Sequence, residues 1–79
     1  MKLYEINNCN ASLMSDYIYQ EANTATEAVF KHFGVRTKRD ASNQVDFLVT
    51  PVESNGNGMY YKRGNQMGLS IIKKEEENV

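Results

Sequence analysis

Hydrophobic and polar residues alternate along this chain in two rhythms, and the change of rhythm divides it into elements. In KLYEIN, Leu3 and the aliphatic stem of Glu5 fall on one side and Tyr4 and Ile6 on the other, the period-two pattern of a strand. That alternation predicts a first strand over residues 2–7. NNCNAS then interrupts it with three asparagines and a serine, whose side chains hydrogen-bond their own backbone and favour turns. In SDYIYQEA, Tyr17 and Tyr19 share a face opposite Asp16, Ile18 and Gln20, which predicts a second strand ending near Ala22.

The period lengthens in NTATEAVFKHFG. Thr24 can accept from the backbone at Glu27 while Glu27 reaches back to Thr24, the reciprocal arrangement of a capping box. Ala25, Ala28, Val29, His32 and Phe33 then form one helical stripe, and Gly34 supplies the left-handed residue that ends a helix. A helix is therefore expected over residues 24–33.

After RTKRDASNQ, which reads as a polar loop, VDFLVTPVE places Val45, Phe47 and Val49 on one face and Leu48 and Val52 on the other. Such a strand is partly buried on both sides. Pro51 has no N–H to donate, so it predicts an edge position or a bulge. MYYKR and MGLSIIKK complete the set, separated by Gly64 and Asn65, and the last three strands read as consecutive hairpins. The expected order is β-β-α-β-β-β: an α+β fold in which one helix packs on one face of an antiparallel sheet of about five strands. Tyr4, Tyr17, Tyr19, Tyr60 and Tyr61 can either furnish the uncovered face or finish the core.

Four glycines at 56, 58, 64 and 68 raise the question of a phosphate loop. No lysine-serine pair follows them and no helix is expected to begin there, so the nucleotide-binding pattern is missing. Asn-Gly between alternating segments is instead a hairpin signal, because both residues tolerate positive φ. SNGNG reads as a turn.

Composition narrows the function classes. A chain of 79 residues, 41% apolar and 24% charged, is one soluble domain with a thin core. Small domains often lean on a partner for stability, which makes a binding role more natural than an elaborate active site. The formal net charge of −1 hides an uneven distribution, since the remainder carries +2 without Glu75, Glu76 and Glu77. These three glutamates fall in KKEEENV, where residues 75–79 are expected to form a frayed acidic tail. Lys31, Arg36, Lys38 and Arg39 cluster around the helix end and the next loop, and Lys62 and Arg63 follow in the hairpin. They are either a solvated surface or an electropositive face for an acidic partner. Ten acids nearly balanced by nine bases argue against mimicry of nucleic acid.

Catalytic chemistry finds little footing. His32 is the sole histidine and Cys9 the sole cysteine, so no disulfide, zinc set or other metal site is expected. A thiol constellation of Cys9, His32 and an aspartate lacks any local feature that would lower the thiol pKa. Neither a catalytic residue nor a cofactor is expected. MKLYEINNCN is polar by residue 5, unlike a signal peptide, and no apolar run approaches the ~20 residues that span a bilayer. A cytoplasmic protein with neither a membrane nor a small-molecule substrate as partner is the expectation.

ESNGNGM at Glu53–Met59, followed by aromatic residues and preceded by YIYQEANTATEAVFKHFG, resembles small phage-encoded anti-CRISPR proteins, most closely those directed at type I-E systems. The shared pattern is a strand leading into an alanine-rich helix, a second strand, and a Glu-Ser-Asn-Gly turn ending in methionine. It spans residues 17–61; the loop RTKRDASNQ is longer here, and the C-terminal part has no counterpart. The resemblance implies a non-enzymatic inhibitor docking on subunits of a type I CRISPR effector complex, in the cytoplasm of an infected or lysogenic bacterial host. It would block target-DNA binding or nuclease recruitment or activation. Candidate contact residues on this chain are Lys31, Arg36, Lys38, Arg39, Tyr60, Tyr61, Lys62 and Arg63. The rival is a small nucleic-acid-binding or regulatory module in which Tyr60, Tyr61, Lys62 and Arg63 stack on bases and meet phosphates. An exposed sheet edge could also pair two copies as a homodimer.

Overall fold

The computed structural model describes residues 1–9, 17–42 and 44–72. Part of the expected turn after Cys9, the first residues of the second strand and the tail from Lys73 onward lie outside the described residues. Six strands and one helix follow in the order β1 (Lys2–Asn8), β2 (Tyr17–Ala22), α1 (Ala25–Phe33), β3 (Thr37–Arg39), β4 (Phe47–Ser54), β5 (Tyr60–Lys62) and β6 (Met67–Ile71). All pairings are antiparallel, in the spatial order β2-β1-β4-β6-β3, with β5 also on β4. This is the expected α+β class with one further strand.

The further strand corrects the polar-loop reading of RTKRDASNQ. Thr37, Lys38 and Arg39 pair with Ile71, Ser70 and Leu69, although only Thr37 is buried. An edge strand with two charged residues shows no apolar alternation, so its backbone pairing is invisible in composition. The connection from β3 to β4 is then folded onto β6 by two aspartates. Asp40 accepts from Ser70 Oγ at 2.6 Å and from the Ser42 N–H at 2.8 Å, and Asp46 accepts from the Ile71 N–H at 2.8 Å. The hydrogen bond from Ser70, then those from Ser42, hold the Asp40 carboxyl below its ordinary value. Its stabilising effect is thus present above the ordinary carboxylate pKa and fades as pH falls.

The second correction concerns the last three strands. β4 and β5 form the expected hairpin, with Gly56 and Gly58 both at φ 84° and Asn55 Oδ1 accepting from the Asn57 and Met59 N–H groups. β5 and β6, however, are not a hairpin: both lie along the same side of β4, Lys62 opposite Val52 and Met67 opposite Val49. Residues 63–66 thus stand opposite only residues 50 and 51, an enlarged bulge in one interrupted strand.

Pro51 explains the interruption. β4 is central, not an edge, because Pro51 also lies opposite Tyr4 of β1. Arg63 donates its N–H to the Pro51 carbonyl at 2.7 Å, so the Pro51 backbone faces the β5–β6 side and its missing N–H would point there too. The bulge falls where the donor is absent. Gly64 fits the same place, since a Cβ there would sit 2.9 Å from Pro51 Cγ.

On the helix side, Tyr4, Ile6, Phe47, Val49 and Leu69 project from the sheet to meet Ala25, Ala28 and Val29. Burying each of the large aliphatic and aromatic side chains stabilises the fold by roughly 1.5–3 kcal/mol. Thr24 Oγ1 accepts from the Glu27 N–H at 3.2 Å, as the capping box predicts. The Glu27 carboxylate instead takes the N–H of Asn23, one residue further out, at 3.4 Å. Gly34 closes the helix at φ 73°, its N–H donated to the Phe30 carbonyl at 2.8 Å. His32 leaves the expected stripe: it is exposed, edge-on to Phe33, whose ring meets Phe47 with centroids 4.9 Å apart.

Two glycines give a graded test of this packing. A Cβ at Gly68 would lie 2.7 Å from Val45 Cγ1 and 3.0 Å from the Asp40 carbonyl oxygen, a backbone atom. Gly68→Ala is expected to destabilise by about 2–3 kcal/mol and Gly64→Ala, against a side-chain carbon alone, by about 1 kcal/mol. Urea titrations in which the two variants match the parent would refute the assigned packing.

Candidate functional site

Strand parity assigns the uncovered face. Because Tyr4 and Ile6 point to the helix, Glu5 points away, and its cross-strand neighbours Tyr19 and Thr50 point away with it. The same parity puts Tyr17, Val52, Tyr60 and Lys62 on this open face. Tyr19 and Tyr60 stack there with ring centroids 3.8 Å apart and planes 11° from parallel. β1 and β4 run between their strands, so in a flat sheet their backbones would be roughly 14 Å apart across the strands alone. Two leaning tyrosines cannot span that, so the contact requires a sheet strongly coiled towards this face.

The stack has a polar anchor. Tyr19 donates its hydroxyl to Glu5 Oε2 at 3.1 Å. Thr50 and Val52, 2% and 6% exposed, are sealed on this face, over which no helix of the described residues packs. Tyr17, by contrast, is 63% exposed. The result is a patch whose centre is ordered by ring stacking and whose margin offers aromatic surface, the composition favoured at protein interfaces.

The structure separates the residues that the sequence grouped. Tyr60 and Lys62 share the open face, whereas Tyr61 points the other way and its hydroxyl accepts from Asn55 Nδ2 at 3.4 Å. Arg63 is bound to Glu53 at 3.1 Å. Lys31 is tied to Glu27 at 3.3 Å and donates to the Glu21 carbonyl at 3.4 Å. That carbonyl also accepts from Gln20 Nε2, so these side chains blunt the outer edge of β2. Lys38 lies beside Ser70 on the open-face side of β3, Arg39 beside Leu69 on the helix side, and exposed Arg36 beside Phe30 in a cleft. The basic residues are spread around the molecule and form no single face.

Tyr17 and Tyr19, which the sequence left between the uncovered face and the core, complete the patch together with Glu5, which was not among the sequence-derived candidates. The alternation of YIYQEA does place both tyrosines on one face; what it lacks is any sign of Tyr60 arriving from a distant hairpin.

Metal chemistry has no assembled centre among the described residues. They contain no group of three or more His, Cys, Asp or Glu side chains suited to a metal ion. Cys9 gives its S–H to the Asn7 carbonyl, and His32 packs on Phe33. A cleft of about 710 Å³ runs past Leu3, Val52, Glu53 and Arg63 at the strand ends and contains neither residue. No helix among the described residues is long and apolar enough to cross a membrane. Comparison with protein-family models, with curated proteins and with solved structures finds no significant match to the chain.

Burial, then the hydrogen bond and charge of Glu5, raise the Tyr19 phenol above its ordinary value of 10.0. Folding therefore favours the neutral phenol. The stabilisation is complete below that ordinary value and is lost as pH rises through the elevated one. Tyr19→Phe, which keeps the stacked ring, is expected to lose less stability than the parent on passing to alkaline pH. Parallel denaturation curves above about pH 10 showing the same loss in both proteins would contradict this linkage.

Proposed function

We propose that the chain is a non-enzymatic binding protein that presents its coiled open face to a protein partner. On the resemblance of Glu53–Met59 and the preceding helix, that partner is a type I CRISPR effector complex, and binding blocks target-DNA engagement or nuclease recruitment. The observation that carries the binding mode is the Tyr19–Tyr60 stack, with Tyr17 and Lys62 on the same side. A pre-ordered aromatic surface loses little side-chain entropy on docking, and aromatic anchors dominate interface energies. Tight inhibition then requires no catalytic group.

The rival nucleic-acid reading fits the geometry less well. Tyr60 and Tyr61 point to opposite faces and Arg63 is engaged by Glu53, so the run YYKR does not form one stacking and phosphate-binding platform.

Affinity capture from a bacterium carrying a type I system should recover effector subunits, and recovery of none would overturn the assigned target. With the captured complex, Tyr17→Ala combined with Tyr60→Ala should weaken binding at least tenfold. Charge reversal at Arg36, Lys38 and Arg39 separates the two surfaces: a larger loss from it than from the tyrosine pair would move the interface to the basic loop.

A further inference from the structure

On the helix side of the sheet, away from the aromatic patch, a cleft of about 280 Å³ opens beside the first turn of α1. Four of its features point to one kind of ligand. Glu27 gives its N–H to Thr24 Oγ1 and Ala28 to the Thr24 carbonyl, which leaves the Ala25 and Thr26 N–H groups without an acceptor among the described residues. Tyr4, a wall of the same cleft, is 3% exposed, yet its hydroxyl makes no hydrogen bond to any described residue and is not one of the fully sealed polar atoms. A core tyrosine ordinarily satisfies its hydroxyl; this one reaches the cleft and stops. Lys2 and Arg39 also line it, and neither forms an ion pair among the described residues.

We infer that the first turn of α1, the Tyr4 hydroxyl, Lys2 and Arg39 form an oxyanion site for a phosphate group, with a diphosphate preferred over a single phosphate. The N-terminal N–H groups and the helix dipole favour negative charge at this point. The Tyr4 hydroxyl adds a third donor from the sheet below. Lys2 and Arg39 project from β1 and β3, which are separated by β4 and β6, so they enter the cleft from opposite sides. One phosphate reaches one of them, and a diphosphate spans further towards both. The Glu27 carboxylate is turned outward, to the Asn23 N–H and to Lys31, and does not line the cleft.

The test is an amide NMR titration of the whole chain with inorganic phosphate, pyrophosphate and, as a singly charged comparison, acetate at matched ionic strength. Phosphate and pyrophosphate should shift the Ala25 and Thr26 amides, pyrophosphate binding the tighter and acetate at least tenfold weaker. Tyr4→Phe keeps the buried ring and should weaken pyrophosphate binding about tenfold with the rest of the spectrum preserved. Arg39→Gln, at an exposed position, should lower affinity and flatten its salt dependence. Unmoved Ala25 and Thr26 amides, equal shifts from acetate, or undiminished affinity in both variants would each overturn the site.

Discussion

A single missing hydrogen-bond donor organises the sheet. Pro51 sits in the middle of β4, the strand that carries β1 on one side and both β5 and β6 on the other. Where its N–H would have bonded, the neighbouring strand breaks into a bulge around Gly64, and what would have been one long strand becomes two. Bulges raise local twist and bend the strand that holds them. The coiling that follows is what allows Tyr60, beyond the bulge, to reach Tyr19 on the far side of β1. A backbone property of one residue is thereby linked to the shape of an entire face.

The two faces of the sheet obtain their order by different means. Under α1, order comes chiefly from the burial of Ile6, Val29, Phe47 and Leu69. On the open face no helix of the described residues packs, and order comes from stacked rings and the Glu5 carboxylate. Thr50 and Val52 are nevertheless sealed. An open sheet face that is itself ordered suits a surface meant to be covered by something rigid, and this underlies the binding role proposed for it.

Charge was the least transferable of the sequence signals. Lys31, Arg36, Lys38 and Arg39 stand close together in the chain, but strand alternation sends Lys38 and Arg39 to opposite faces, and Lys31 turns back to Glu27 and the edge of β2. Proximity along a chain translates into proximity in space on one helix face, where residues three and four apart align; on a strand, neighbours diverge. The same rule divides Tyr60 from Tyr61.

What the sequence determined by itself is local: the capped helix ending at Gly34, the alternation of β1, β2 and β4, and the Asn-Gly turn at the hairpin tip. Each of these is set by residues within a few positions of one another, through hydrogen-bond caps, side-chain parity or positive φ. Pro51 announced a bulge, though not its place in a central strand. Only the tertiary structure decided that TKR forms an edge strand, that β5 and β6 share one side of β4, and that Tyr19 meets Tyr60. Those outcomes depend on backbone groups pairing over long sequence separations, and a backbone N–H carries no mark in the amino-acid code of the partner it will find.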